Sequence, residues 1–113
     1  MPLIDVRLSV PVSQTQEEEL VKQIGKAITK IPGKEEASLM VQVQGNCPLW
    51  FQGKKQPCAH VTVKIAGQAD KQDFNRFNAA VSQALQPLGV PGGAIYFTNE
   101  ESAMVRSESA ASA

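Results

Sequence analysis

From its second residue the chain alternates, with Ile4, Val6, Leu8 and Val10 apolar and Asp5, Arg7 and Ser9 polar between them. Period-two alternation of this kind predicts a strand with one face against a core. The pattern returns at a constant offset over Pro57 to Ile65, where Val61, Val63 and Ile65 fall in the places of Val6, Leu8 and Val10. Each of these runs is followed by helical spacing. Leu20, Val21, Ile24, Ala27, Ile28 and Ile31 draw an apolar stripe along a helix over Ser13 to Lys30, with Ser13/Gln16 or Thr15/Glu18 able to form its capping box. Phe74, Phe77, Val81, Leu85 and Leu88 draw a second stripe over Asp70 to Gln86. Both helices exit through breakers, Pro32-Gly33 and Pro87-Leu88-Gly89, into further β-rich runs over Ser38 to Gln44 and Ala94 to Thr98. The chain therefore reads as a βαβ unit written twice.

Two such units predict an α+β fold, a four-stranded sheet with both helices on one face in the split-βαβ or ferredoxin-like arrangement. Strand parity assigns the faces. Ile4, Val6, Leu8 and Val10, Leu39, Val41 and Val43, and Ala59, Val61, Val63 and Ile65 should pack under the helices. Asp5, Arg7, Gln42, Gln44, His60, Thr62 and Lys64 fall on the other face, which is either wet or the lining of a solvent-filled interior built by several subunits. Leu49-Trp50-Phe51 is a short apolar run between the halves, flanked by Gly45, Pro48 and Gly53, where a monomer has little core left to cover it; such segments mark interfaces. One domain is expected over 1–99, with pseudo-repeats at about 2–55 and 57–99. From Glu100 to Ala113 the chain is rich in Glu, Ser and Ala and without aromatics, which predicts a polar, mobile tail.

Composition narrows the function. A length of 113 residues with 42% hydrophobic content suits one compact domain. Eleven basic and eleven acidic residues cancel, and no stretch gathers Lys and Arg as a phosphate-backbone footprint would, so nucleic acid is not an expected partner. No apolar run approaches the roughly 20 residues of a membrane span, and no Sec-type h-region follows a basic start, so a cytoplasmic protein with no membrane partner is expected. Cys47 and Cys58 match no metal or redox spacing and are expected as free thiols, with no metal site.

The chemistry begins at Pro2. Removal of Met1 converts its nitrogen into a free secondary amine; an α-amino group titrates near neutrality, and burial beside apolar side chains disfavours its charged form, so Pro2 is a candidate general base. The N-terminal proline, the double βαβ layout, the helix exit Pro32-Gly33-Lys34, the segment Leu49-Trp50-Phe51-Gln52-Gly53 leading to Pro57-Cys58-Ala59, and Ile95-Tyr96 on the last strand together resemble the tautomerase superfamily, and within it the macrophage migration inhibitory factor group. The likeness runs from Pro2 to about Asn99. It implies the tautomerase-like form of the fold, a homotrimer with its sheets facing a central channel, and active sites at subunit boundaries. It also implies a cofactor-independent keto–enol tautomerase acting on small 2-oxo acids such as phenylpyruvate. In that pattern Pro2 is the base, Lys34 binds the substrate carboxylate, and a backbone amide of strand three near Ile65 or Ala66 contacts substrate. Tyr96 arrives from the neighbouring subunit, and Thr98 stands where relatives often place an asparagine.

Other residues carry plainer expectations. His60, at mid-strand on the polar face, reads as a hydrogen-bonded channel residue rather than an acid/base catalyst. Cys58 matches the first cysteine of a thiol pair found in some relatives, but Val61 holds the second place, so thiol–disulfide chemistry is not expected. Arg7, Arg76 and Lys64 have no spacing that identifies a role. Ser38 replaces an aromatic common in relatives, and the tail lacks their aromatic hairpin, so the pocket is expected to be wider or less apolar. Two alternatives stay open: a proline-based decarboxylase or hydratase of short oxo or haloacrylic acids, and a non-enzymatic, cytokine-like interaction protein.

Overall fold

The computed structural model describes residues 1–104, 106 and 107. Its strands are β1 (Pro2–Leu8), β2 (Met40–Gln44), β3 (Ala59–Ala66) and β4 (Ile95–Ser102), and its helices are α1 (Gln14–Ala27) and α2 (Lys71–Leu85). The helices start where the side chains satisfy the orphan amides of the first turn. At α1, Ser13 is the cap: its Oγ accepts from Gln16 N at 3.1 Å while Gln16 Oε1 accepts from Ser13 N at 2.9 Å, which decides between the two capping boxes the sequence allows. At α2 the cap is Asp70, whose N–H donates to Asp73 Oδ2 at 3.3 Å, and Arg76 pairs with the same Asp73 carboxylate. Arg76 thus has a structural partner. After α1 a 3-10 turn over Ile28–Lys30 tightens the exit, and Gly33, at φ 81°, reverses the chain.

The sheet order is β2-β1-β3-β4, with β1–β2 and β3–β4 parallel and β1–β3 antiparallel. Each βαβ unit keeps its two strands side by side; neither is split by a strand of the other unit, as a split βαβ would have it. A crossover helix then needs to return only one strand spacing, about 4.8 Å, and the antiparallel β1–β3 seam sets the second unit so that its helix lands on the same face as the first.

Ile4, Val6, Leu8, Val61, Val63 and Ile65 are fully buried on that face against Ile24, Ile28, Phe77, Val81 and Leu85. Leu39, Val41 and Val43 pack against the same core but stay half-buried, because β2 is an edge strand. The strand ends differ from their sequence-based limits for hydrogen-bonding reasons. β1 stops at Leu8 because, although Ser9 N still reaches Cys58 O at 3.0 Å, the reciprocal Cys58 N–H goes to Ser9 Oγ at 2.9 Å and Val10 O takes Asn46 N at 2.9 Å. β4 runs past residue 99, pairing Glu100, Glu101 and Ser102 with Lys64, Ile65 and Ala66; backbone pairing on an edge strand does not require apolar side chains. Of the expected mobile tail, residues 105 and 108–113 lie outside the described residues.

Between the halves, Phe51 and Lys54 exchange backbone hydrogen bonds of 2.9 and 3.0 Å around Gln52 (φ 54°) and Gly53 (φ 73°). Two consecutive positive φ values in a two-residue turn are the geometry of a tight hairpin, and it holds the neighbouring Trp50 out in solvent, 65% exposed. Among the described residues no helix is long and apolar enough to cross a membrane.

Candidate active site

Pro2 opens β1, buried, and faces Ile65 across the β1–β3 seam. One residue further along β3, the Ala66 N–H donates to the Met1 carbonyl at 3.2 Å, and the Ala66 carbonyl accepts from Lys34 Nζ at 2.7 Å. Lys34 reaches this point because the turn after α1 is closed by its own N–H on Ile31 O at 3.1 Å. The strand seam and the helix exit therefore converge: Pro2, Lys34, Ile65 and Ala66, far apart in sequence, share one corner of the fold.

Beside Pro2 opens a cavity of about 500 Å³, walled by Pro2, Leu3, Ser38, Met40, Ala103, Met104 and Arg106, with Met1 in the same lining; Lys34, Ile65 and Ala66 stand behind Pro2 and are not among its walls. Burial lowers the pKa of the Met1 α-amine from its ordinary value; the Lys34 ammonium lowers it further, and the Glu35 carboxylate acts in the opposite direction. The corner favours a neutral amine.

Tyr96 and Thr98 lie elsewhere in the chain's own sheet. Tyr96 pairs with His60, five positions along β3 from Ile65, which is about 17 Å at the usual rise per strand residue. It is 67% exposed and meets Phe51 edge-on, ring centres 5.9 Å apart. Thr98 Oγ1 lies 2.9 Å from His60 Nε2 in a hydrogen bond on the open sheet face, in keeping with a hydrogen-bonded role for that histidine. On the same face Arg7 Nε stands 3.4 Å from Asp5 Oδ2, and Lys64 lines a shallow hollow of about 320 Å³ with them. Cys47 and Cys58 are buried free thiols. Among the described residues no group of three or more His, Cys, Asp or Glu side chains gathers to hold a metal ion.

The sequence profile of the macrophage migration inhibitory factor family matches residues 1–105. The chain belongs to that family. Solved members carry the same fold. A macrophage migration inhibitory factor of Toxoplasma gondii is 25% identical, with 94% of this chain and 96% of that one superposed at a TM-score of 0.85. A homologue from Prochlorococcus marinus is 28% identical over 89% of each chain, at a TM-score of 0.74. Leishmania major MIF2, 22% identical, covers 94% of this chain with 92% of its own at a TM-score of 0.86. No curated protein matches the chain by sequence.

For a member of the macrophage migration inhibitory factor family, the cavity holds residues that sequence reasoning did not select. Met40, Ala103, Met104 and Arg106 form much of the wall beside Pro2. The last three follow β4, in the segment assigned to the tail. The available signal was compositional: the chain has three methionines, and all of them, Met1, Met40 and Met104, line this cavity.

Proposed function

We propose that this chain is a cofactor-independent keto–enol tautomerase of small 2-oxo acids such as phenylpyruvate, with the processed Pro2 amine as general base. The observation that carries the reading is the convergence at Ala66. Its N–H holds the Met1 carbonyl oxygen and its C=O holds the Lys34 ammonium, both beside buried Pro2. Removal of Met1 produces the secondary amine and frees the Ala66 N–H in one step. A substrate oxygen takes the place of the Met1 carbonyl.

The chemistry follows from these groups. A substrate carboxylate beside Lys34 gains a charge-assisted hydrogen bond, without which its entry into an apolar cavity is costly. The neutral Pro2 nitrogen removes a proton from C3 of the keto acid, the C3–H electrons become the C2=C3 bond, and the carbonyl electrons pass to the C2 oxygen. Lys34 and the Ala66 N–H meet the charge developing on that side, and the protonated amine then delivers its proton to the oxygen, giving the enol with the base restored. The reverse order ketonises an enol.

We further propose a homotrimer. Tyr96 lies too far along the sheet to reach its own Pro2, β2 and β4 are edge strands, and Met40, Trp50 and Tyr96 are exposed; a neighbouring copy that covers them brings Tyr96 to the site. The exposed Trp50 hairpin also supports a second reading, an interaction protein whose partner recognises that projection.

The test compares processed wild-type protein with Pro2→Gly after intact-mass confirmation that Met1 is gone. Turnover of an enolpyruvate that falls at least about a hundredfold in the variant, the scale of a lost general base, supports the enzyme. Equal rates in the two proteins overturn it, and light scattering that reports a single chain overturns the trimer.

A further inference from the structure

We propose that Met40 and Met104 are specificity-determining residues that grip an aromatic ring between their thioethers, a proposal that rests on the tautomerase reading of the same cavity. The two walls arrive from opposite directions. Met40 begins β2, level with Leu3 of β1, at one edge of the sheet. Met104 follows β4, at the other edge, and the segment carrying it returns across the ends of β3 and β1 to the Pro2 corner. In the chain that still carries Met1, the Arg106 N–H donates to Met1 Sδ at 3.1 Å, so this segment and Met1 share the cavity lining. When Met1 is excised its side chain leaves the cavity, and the two remaining methionines of the chain face the space beside Pro2.

The division of labour follows from chemistry. Lys34 and Ala66 hold the acid end of a substrate and Pro2 its reacting carbon, so the remainder of the molecule extends toward the methionines. Within one chain no aromatic side chain lines the cavity among the described residues, so the ring contacts it supplies itself are the thioethers; in the proposed trimer the neighbouring copy's Tyr96 adds to them. A thioether is polarizable and draws a ring edge to about 5 Å from sulfur, at a gain of roughly two- to tenfold in affinity per contact over an aliphatic group of equal bulk. The unbranched methionine side chain also adapts to ring substituents, which favours a range of arylpyruvates over branched aliphatic oxo acids.

The experiment uses the processed, full-length protein labelled with methyl-13C methionine and probed with 3-phenylpropanoate, an unreactive aromatic acid, and with 4-methylpentanoate as aliphatic control. Both methionine methyl signals, assigned with Met40→Leu and Met104→Leu, shift by ring current with the aromatic acid, upfield over the ring face or downfield at its edge, and stay near their places with the aliphatic one. In turnover the leucine variants raise KM for an aromatic enol by about two- to tenfold, with the loss in KM rather than kcat, and move the aliphatic enol less. Methyl signals that stay still at saturating 3-phenylpropanoate, or leucine variants that weaken both acids equally, overturn the proposal. Ring-current shifts in a protein without turnover would sink the tautomerase reading and leave the methionine walls standing; turnover with unmoved methyls would do the reverse.

Discussion

Replacing Lys34 with methionine keeps the stem that spans from the helix exit to Ala66 and deletes the charge. Two effects follow, and they are separable. The 2.7 Å bond to the Ala66 carbonyl disappears, together with the cation that meets the substrate carboxylate. Hydrogen bonds to charged groups contribute about 1.5–3 kcal/mol, so kcat/KM for a 2-oxo acid should fall roughly 10- to 150-fold. The second effect concerns the base. The Lys34 charge lowers the amine pKa at this corner and the Glu35 charge raises it. On the processed Pro2 nitrogen, one residue further in, the two charges should act in the same directions. A base must be neutral to act, so activity falls as pH drops through its pKa. Lys34→Met removes a lowering influence, the pKa rises, and the acid limb of the kcat/KM profile moves to higher pH. Glu35→Gln removes a raising influence and moves the limb to lower pH. Initial rates of enol consumption across the acid and neutral range read both. Limbs that move in the same direction in the two variants, or in neither, would refute the electrostatic account of Pro2 even if the rates fell as expected.

Two further outcomes concern the scaffold. Phe77 is the largest fully buried side chain, at the junction of α2 and the sheet, and Phe77→Ala should cost about 3–5 kcal/mol in urea unfolding; a loss under about 1 kcal/mol would mean the core does not close around it. Ser13→Ala removes the reciprocal cap of α1 and should lower stability by about 1 kcal/mol, whereas Thr15→Ala, which caps nothing, should leave the denaturant midpoint nearly unchanged.

The strands and helices were legible wherever a periodic apolar face had to meet the core. Ile4, Val6 and Leu8 against Val61, Val63 and Ile65 announced their pairing face through parity alone, and the α1 and α2 stripes announced theirs at helical spacing. Strand order was not legible, because parity says which face a residue takes and nothing about which neighbour it pairs with. The end of β4 escaped for a related reason: Glu100, Glu101 and Ser102 join the ladder through backbone groups, and their side chains carry no apolar signal. At the site, resemblance led to Pro2, Lys34, Ile65 and Ala66, which the fold gathers in one corner. The same reasoning passed over Met40 and Met104. Neither sits in a pattern, and Met104 becomes a wall only because the chain after β4 turns back toward Pro2, a long-range event with no local cue.

The antiparallel seam between β1 and β3 has a consequence for how the molecule is held in one piece. Each half offers its inner strand to the other, with Ile4 opposite Val63 and Val6 opposite Val61 on the buried face, and the two helices close over the join. The connection through 45–57 is fastened to the end of β1, with Asn46 N on Val10 O, Cys47 N on Leu8 O and Ser9 Oγ on Gln56 O, but it contributes no residue to the apolar cluster that joins the halves. Nicking at the Gln52-Gly53 turn would leave two complementary fragments with every reason to find each other again, and at high concentration the same logic permits intact chains to trade halves.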